Sequence, residues 1–299
     1  MSVLARGSGD GHPIGAALAF VPVPEPVLVV GLEAGAFDCG AVRLYAVTGS
    51  GRLGAHRDVT VGSPGIAGSC RDAWSFGREL AASNDLLVLG VPDAGPKDYG
   101  GAAWVMQLAP GLTYWATRIT QETAGVPGRT DIEDSFGASV SVLDEWVAIG
   151  IPGERVRGST LRGAIQPVRI ERTGTGLRIH PVKRLGPQDA RLPAGAANPE
   201  GIGQQVRVAQ LCPGQVGAVV DAGPATVPFT LDPRCPGVVL GTEGPTAFTL
   251  LRRRTGGTVT DQPAVVSGGM VVAGWPPATR ELNTGPQPWE TMELARPAA

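Results

Sequence analysis

The side chains with the plainest capacity for chemistry are two carboxylates, Asp93 and Glu154, each standing just after a short apolar run that ends in proline: Gly90-Val91-Pro92-Asp93 and Gly150-Ile151-Pro152-Gly153-Glu154. A pair of acids brought together could act as general acid and base, as in many lyases and glycosidases. His12 is a third candidate. The three histidines, His12, His56 and His180, have neither the His-Glu-x-x-His spacing of a metal site nor a cysteine pair at zinc-ligand spacing beside them. Ser75 and Ser135 precede a glycine in a turn-like setting, and no Gly-x-Ser-x-Gly elbow occurs, since Gly68-Ser69-Cys70 lacks the second glycine. The sequence thus contains no recognisable catalytic constellation, and no cofactor or metal is expected.

The elements that must position these residues are announced by repetition. Phe76-Gly77, then Leu86 to Asp93, then Gly100-Gly101-Ala102-Ala103-Trp104-Val105 returns as Phe136-Gly137, Trp146 to Glu154 and Gly163-Ala164-Ile165. The lead-in recurs too, with Gly65 and Gly68 answering Gly125 and Gly128. Weaker copies stand at Ile14-Gly15 with Val27 to Gly31, and at Ile202-Gly203; a last partial copy runs from Ala264 to Gly274. A period near 60 residues suits a four-stranded unit with generous loops. Each unit offers short apolar runs such as Ser139 to Leu143, Val147 to Ile149 and Ala164 to Ile170, bounded by turn residues, and no stretch shows sustained helical spacing. With 44 glycines and 27 prolines among 299 residues but 42% hydrophobic residues, the chain is rich in turns and still able to build a core. The expectation is an all-β fold, a β-propeller of about five blades.

The repeated phrase resembles the FG-GAP repeat, the blade of integrin alpha-subunit propellers. Phe76-Gly77 and Phe136-Gly137 match its "FG", and Gly90-Val91-Pro92 and Gly150-Ile151-Pro152 its "GAP". Many members carry an aspartate-rich calcium loop between the first and second strands; here the connections are Ser83-Asn84-Asp85 and Leu143-Asp144-Glu145, too short and too poor in carboxylates to supply six or more oxygens. The chain resembles the short-loop variant without calcium. It reads as one domain over 1–299, with repeats at 13–72, 73–132, 133–198, 199–260 and 261–299. An N-terminal strand at 2–6 and a third-strand-like segment at Thr291 to Arg296 would complete one blade together and remove exposed edges. From Cys212 to Gln262 three segments, Val219-Val220, Val238 to Leu240 and Ala247 to Leu251, compete for the same strand positions.

By resemblance, ligands would be held on the face formed by the connections between second and third strands and between successive repeats. That face would gather Glu33, Asp38, Asp93, Tyr99, Glu154 and Arg155 from one set of loops and His12, Arg71, Asp72, Trp74, Arg129, Asp131 and Asp134 from the other, joined by Trp275, a mixture of charge and stacking surface that could orient a ligand. The leading reading is a non-catalytic recognition or scaffold module for a protein or glycan, or a small molecule. The alternative is an enzyme (lyase, cyclase or hydrolase) with an acid–base pocket at the mouth of the channel. Placed on the propeller, Cys39 and Cys70 fall on one face, and Cys212 and Cys235 fall together on the other, so the pairings Cys39–Cys70 and Cys212–Cys235 are sterically reasonable, although four cysteines allow three connectivities. Disulfides would place the chain outside the cell or at its surface, with the leader absent from the N-terminus; a cytoplasmic location is the alternative. A formal charge of −2 gives no electrostatic case for nucleic acid, no apolar run is long enough to span a membrane, and the protein is expected to be a monomer.

Overall fold

A computed structural model describes residues 14–22, 24–32, 39–66, 68, 75–94, 100–155, 162–174, 176–186, 202–212, 215–222, 225–230, 264–267, 270–273 and 292–293. Within them the fold is all-β. The first sheet is an antiparallel meander of β1 (Ile14–Val21), β2 (Val27–Leu32), β3 (Ala41–Val47) and β4 (Leu53–Val59). The second is built the same way from β5 (Glu79–Ser83), β6 (Leu86–Val91), β7 (Ala102–Ala109) and β8 (Thr113–Ile119), and the third from β9 (Val140–Leu143), β10 (Trp146–Arg155), β11 (Arg162–Thr173) and β12 (Gly176–Pro181). Two three-stranded sheets follow: β13 (Gln205–Cys212), β14 (Gln215–Ala222) and β15 (Ala225–Thr230), then β16 (Ala264–Ser267), β17 (Met270–Ala273) and β18 (Met292–Glu293).

Val219 and Val220 fall in β14, while Val238 to Leu240 and Ala247 to Leu251 lie outside the described residues, as does the segment 2–6. Met292–Glu293, within the third-strand-like C-terminal segment, pairs with β17.

The sheets stack face to face because their central strands are apolar on both sides. All six residues of β6 are buried. Leu87, Leu89 and Val91 join one core with Val27, Val29, Val42 and Leu44 of the first sheet, whereas Leu86 and Val88 join a second core with Val140, Val147 and Ile149 of the third. Continuous hydrophobic strands are what burial on both faces demands; a sheet with one wet face would alternate. The first strands β1, β5, β9 and β13 lie side by side in that order.

The Phe-Gly phrase couples one sheet to the next. Phe76 and Phe136 are 0% exposed, each between two sheets, and Phe76 meets Trp104 edge-on with ring centroids 5.4 Å apart. Isolated parallel bridges join Gly40 to Phe76, Gly101 to Phe136 and Gly163 to Ile202, so Ile202 takes the aromatic's place in the weaker copy. Glycine is required at these crossings by contact as well as by torsion. Gly137 has φ of 91°, and a Cβ on it would strike the Ala102 carbonyl; a Cβ on Gly90 would strike the carbonyl of Gly137.

On the far side, the turns Asn84-Asp85 and Asp144-Glu145 close tight hairpins. Asn84 and Asp144 hold φ of 52° and 54°, which their short polar side chains tolerate better than others. The two turns are tied together: Asn84 Nδ2 donates to Asp144 Oδ1 at 2.8 Å, and the Asp144 N–H donates to Ser83 Oγ at 3.0 Å. Asp85 receives Arg172 Nη2 at 2.7 Å and Gln107 Nε2 at 2.7 Å. Burial pushes its carboxyl up, but these donors outweigh that and hold it below the usual range.

Candidate functional site

The connection from β8 to β9 is where the chain departs from its own pattern. It begins as its counterpart does: the Thr120 N–H donates to Thr123 Oγ1 at 2.9 Å, as Thr60 N–H does to Ser63 Oγ at 2.9 Å one repeat earlier. Val126 and Ile66 are both buried. Two of the positions that differ exchange an apolar residue for a polar one. Where the boundary of the first and second sheets has Val61 and Ala94, 5% and 0% exposed, the next boundary has Gln121 and Glu154.

Glu154 lies near the end of β10, its side chain 13% exposed, and pairs with Arg184, 12% exposed, at 2.6 Å between Oε1 and Nη1. Gln121, 2% exposed, donates Nε2 to the other carboxylate oxygen at 2.5 Å. Arg184 reaches the corner because the chain turns back after β12: Leu185 exchanges hydrogen bonds with Ile165 at 2.8 and 2.9 Å, and Gln166 Nε2 donates to the Val182 carbonyl at 2.8 Å. From there Arg184 Nη2 also donates to the Pro127 carbonyl, so one guanidinium fastens the β8–β9 connection to the third sheet.

Asp134, 1% exposed, is the second buried acid. Its Oδ2 accepts the Asp131 N–H at 2.6 Å, and its carbonyl accepts the Gly153 N–H at 3.1 Å. The residues on either side, Glu133 and Ser135, hold φ of 67° and 56°, left-handed conformations that cost energy outside glycine. The Thr130 N–H donates to Glu122 Oε1 at 3.2 Å. These bonds fix the loop so that Arg129, Asp131, Ile132 and Glu133 face solvent, with Ile132 63% exposed. Burial pushes the Glu154 carboxyl up, opposed by Arg184 and reinforced by Asp134; burial likewise pushes Asp134 up against the pull of its backbone hydrogen bond.

Asp93 has a different occupation. Its Oδ1 accepts the Ser75 N–H and its Oδ2 the Ser75 hydroxyl, both at 2.9 Å, which holds the turn leading into Phe76. Replacement by alanine is therefore expected to destabilise the fold by about 2 kcal/mol, the scale of hydrogen bonds to a charged group, measured as a shift in urea midpoint at constant slope. A midpoint equal to wild type would show that the carboxylate is idle there.

Arg155, expected on the ligand face, ends β10 exposed, in register with Arg162. His12, Glu33, Asp38, Arg71, Asp72, Trp74, Tyr99 and Trp275 lie outside the described residues, as do Cys70 and Cys235. Cys39 is 1% exposed and is not a free thiol, and Cys212 is the last residue of β13. Among the described residues no group of three or more His, Cys, Asp or Glu side chains could hold a metal ion, and no helix is long and apolar enough to cross a membrane.

Gln121 and Arg184 are the members of this corner that reading single residues misses. Only laying one repeat on the next, Val61 on Gln121 and Ala94 on Glu154, marks the place. No family model matches this chain, and no curated protein matches it either.

Proposed function

We propose that the chain is a propeller-like recognition module that holds a protein or glycan on the face carrying the β8–β9 connection. One observation carries this reading: a corner that is apolar between the first two sheets is rebuilt between the next two from Gln121, Asp134, Glu154 and Arg184, and it props a loop with outward Arg129, Asp131, Ile132 and Glu133. Buried polar groups are costly where a valine and an alanine suffice, and long loops on a rigid scaffold are where sites are built. On the opposite face the turns Asn84-Asp85 and Asp144-Glu145 are two residues long and bonded to one another.

The test is binding to arrays of glycans and of surface proteins. Ile132→Asp combined with Arg129→Glu, both solvent-exposed, is expected to abolish capture, while Asp144→Ala on the opposite face leaves it intact. The reverse pattern would sink the assignment. The second reading, an acid–base enzyme, has its own support in Glu154 and Asp134, two carboxyls that burial pushes up and that act on one another. A substrate screen in which Glu154→Gln removes turnover with the fold intact would favour it.

The likeness to FG-GAP propellers supports closure into a ring. The outward face of the first sheet carries Leu18 and Phe20, 59% and 52% exposed, paired across the strands with Val30 and Leu28. Exposed apolar residues of this kind, on the β1–β2 half of a face whose β3–β4 half carries the Arg43–Asp58 pair, call for a neighbour, and the C-terminal sheet β16–β18 is the one the ring order supplies. Phe20→Asp is then expected to lower stability by several degrees of Tm; an unchanged Tm would leave that face a true surface. In the same reading the protein works outside the cell or at its surface, with Cys39 bridged to Cys70 and Cys212 to Cys235, which peptide mapping of the unreduced protein checks.

A further inference from the structure

We infer that the β8–β9 connection is a proton-linked latch, held against the third sheet by a carboxyl pair and one guanidinium so that it closes more firmly as the solution is acidified. The geometry supplies the parts. Asp134 belongs to the loop and Glu154 to β10, both are buried, the Gln121 amide faces both, and a single cation, Arg184, serves them while fastening Pro127.

The charged groups acting on Glu154 are Arg184 and Asp134, and those acting on Asp134 are Asp131 and Arg184. Glu122 accepts a loop N–H, while Arg129, Glu133 and Arg155 stand exposed around the corner. With both acids ionised, the closed loop buries, among the described residues, two negative charges against one positive. The corner also has a spare acceptor and a spare donor, Gln121 Oε1 and Arg184 Nε, neither hydrogen-bonded.

The direction follows from linkage. Both carboxyls are pushed up in the closed arrangement, and opening returns them to water and to ordinary values. The closed form therefore binds the proton more tightly. Its advantage is full below the ordinary carboxyl range and is lost as pH rises through the raised values. This is opposite to a salt-bridge latch, which acid would release. The inference does not depend on what the loop recognises.

Hydrogen exchange of the full chain reads the latch directly, after division by the intrinsic rate at each pH. The expected result is an opening constant for the Asp131 and Gly153 amides that rises with pH, by up to about tenfold per pH unit for one linked proton. The Phe76 amide, bonded to the Cys39 carbonyl at the boundary of the first and second sheets, serves as the internal reference and stays level. Glu154→Gln with Asp134→Asn is expected to flatten the dependence; if that double variant does not fold, the wild-type ratio of loop to reference amides decides alone. A ratio independent of pH, or one that rises on acidification, overturns the latch, and so does a folded double variant that keeps the wild-type slope.

Discussion

Phe136→Ala is expected to destabilise the protein by about 3 to 5 kcal/mol, the usual scale for removing a fully buried aromatic side chain. The ring is 0% exposed, packed in the core that the second and third sheets share, among Leu86, Val88, Val140 and Ile149. Its backbone cannot follow a collapse into the cavity, because the chain is bridged to Gly101 and the adjoining Gly137 is fitted beneath the Ala102 carbonyl. The cavity therefore stays open and its full cost is felt. Denaturant unfolding checks the magnitude, and a loss below about 1 kcal/mol would mean the sheets are not coupled through this ring. Phe76→Ala is expected to behave similarly, with the added loss of the edge contact to Trp104.

These two residues show how much of the fold is legible in sequence. Phe76 and Phe136 recur with the same neighbours because every sheet-to-sheet crossing solves the same steric problem, and a repeated solution is visible as a repeated phrase. The apolar runs at Leu86 to Val91 and Trp146 to Ile151 are visible for the same reason. The proposed ring closure is less accessible, since it would rest on one unrepeated contact between the first sheet and the last. The site is less accessible still. Asp93 reads as a free rim carboxylate until its two bonds to Ser75 are seen. Arg184 has no motif around it, and what brings it to Glu154 is the return of the chain after β12 onto Ile165. A polar pair assembled from distant segments has no local signal. Its trace is negative: the places where one repeat lacks the apolar residue that the other repeat has.

Arg184→Met is expected to cost about 3 to 5 kcal/mol at neutral pH, because breaking a buried ion pair from one side leaves the other charge uncompensated. Glu154 would keep the Gln121 amide and lose the guanidinium that pairs with it, beside a second buried acid at Asp134. The pH dependence separates this cause from lost packing. Without Arg184 the Glu154 carboxyl is driven further above the ordinary range, so protonation relieves the variant, and the deficit relative to wild type is expected to shrink as pH falls through that raised value. A packing defect would be insensitive to pH. Unfolding midpoints for wild type and variant, taken in parallel from neutrality into the mildly acidic range, decide between them. A second variant, Arg184→Met with Glu154→Met, replaces the pair by apolar side chains of the kind found at Val61 and Ala94. It is expected to recover most of the stability while losing the loop's fastening to Pro127, so that stability returns and recognition does not. Recovery of neither would show that the corner depends on its polar groups for folding itself.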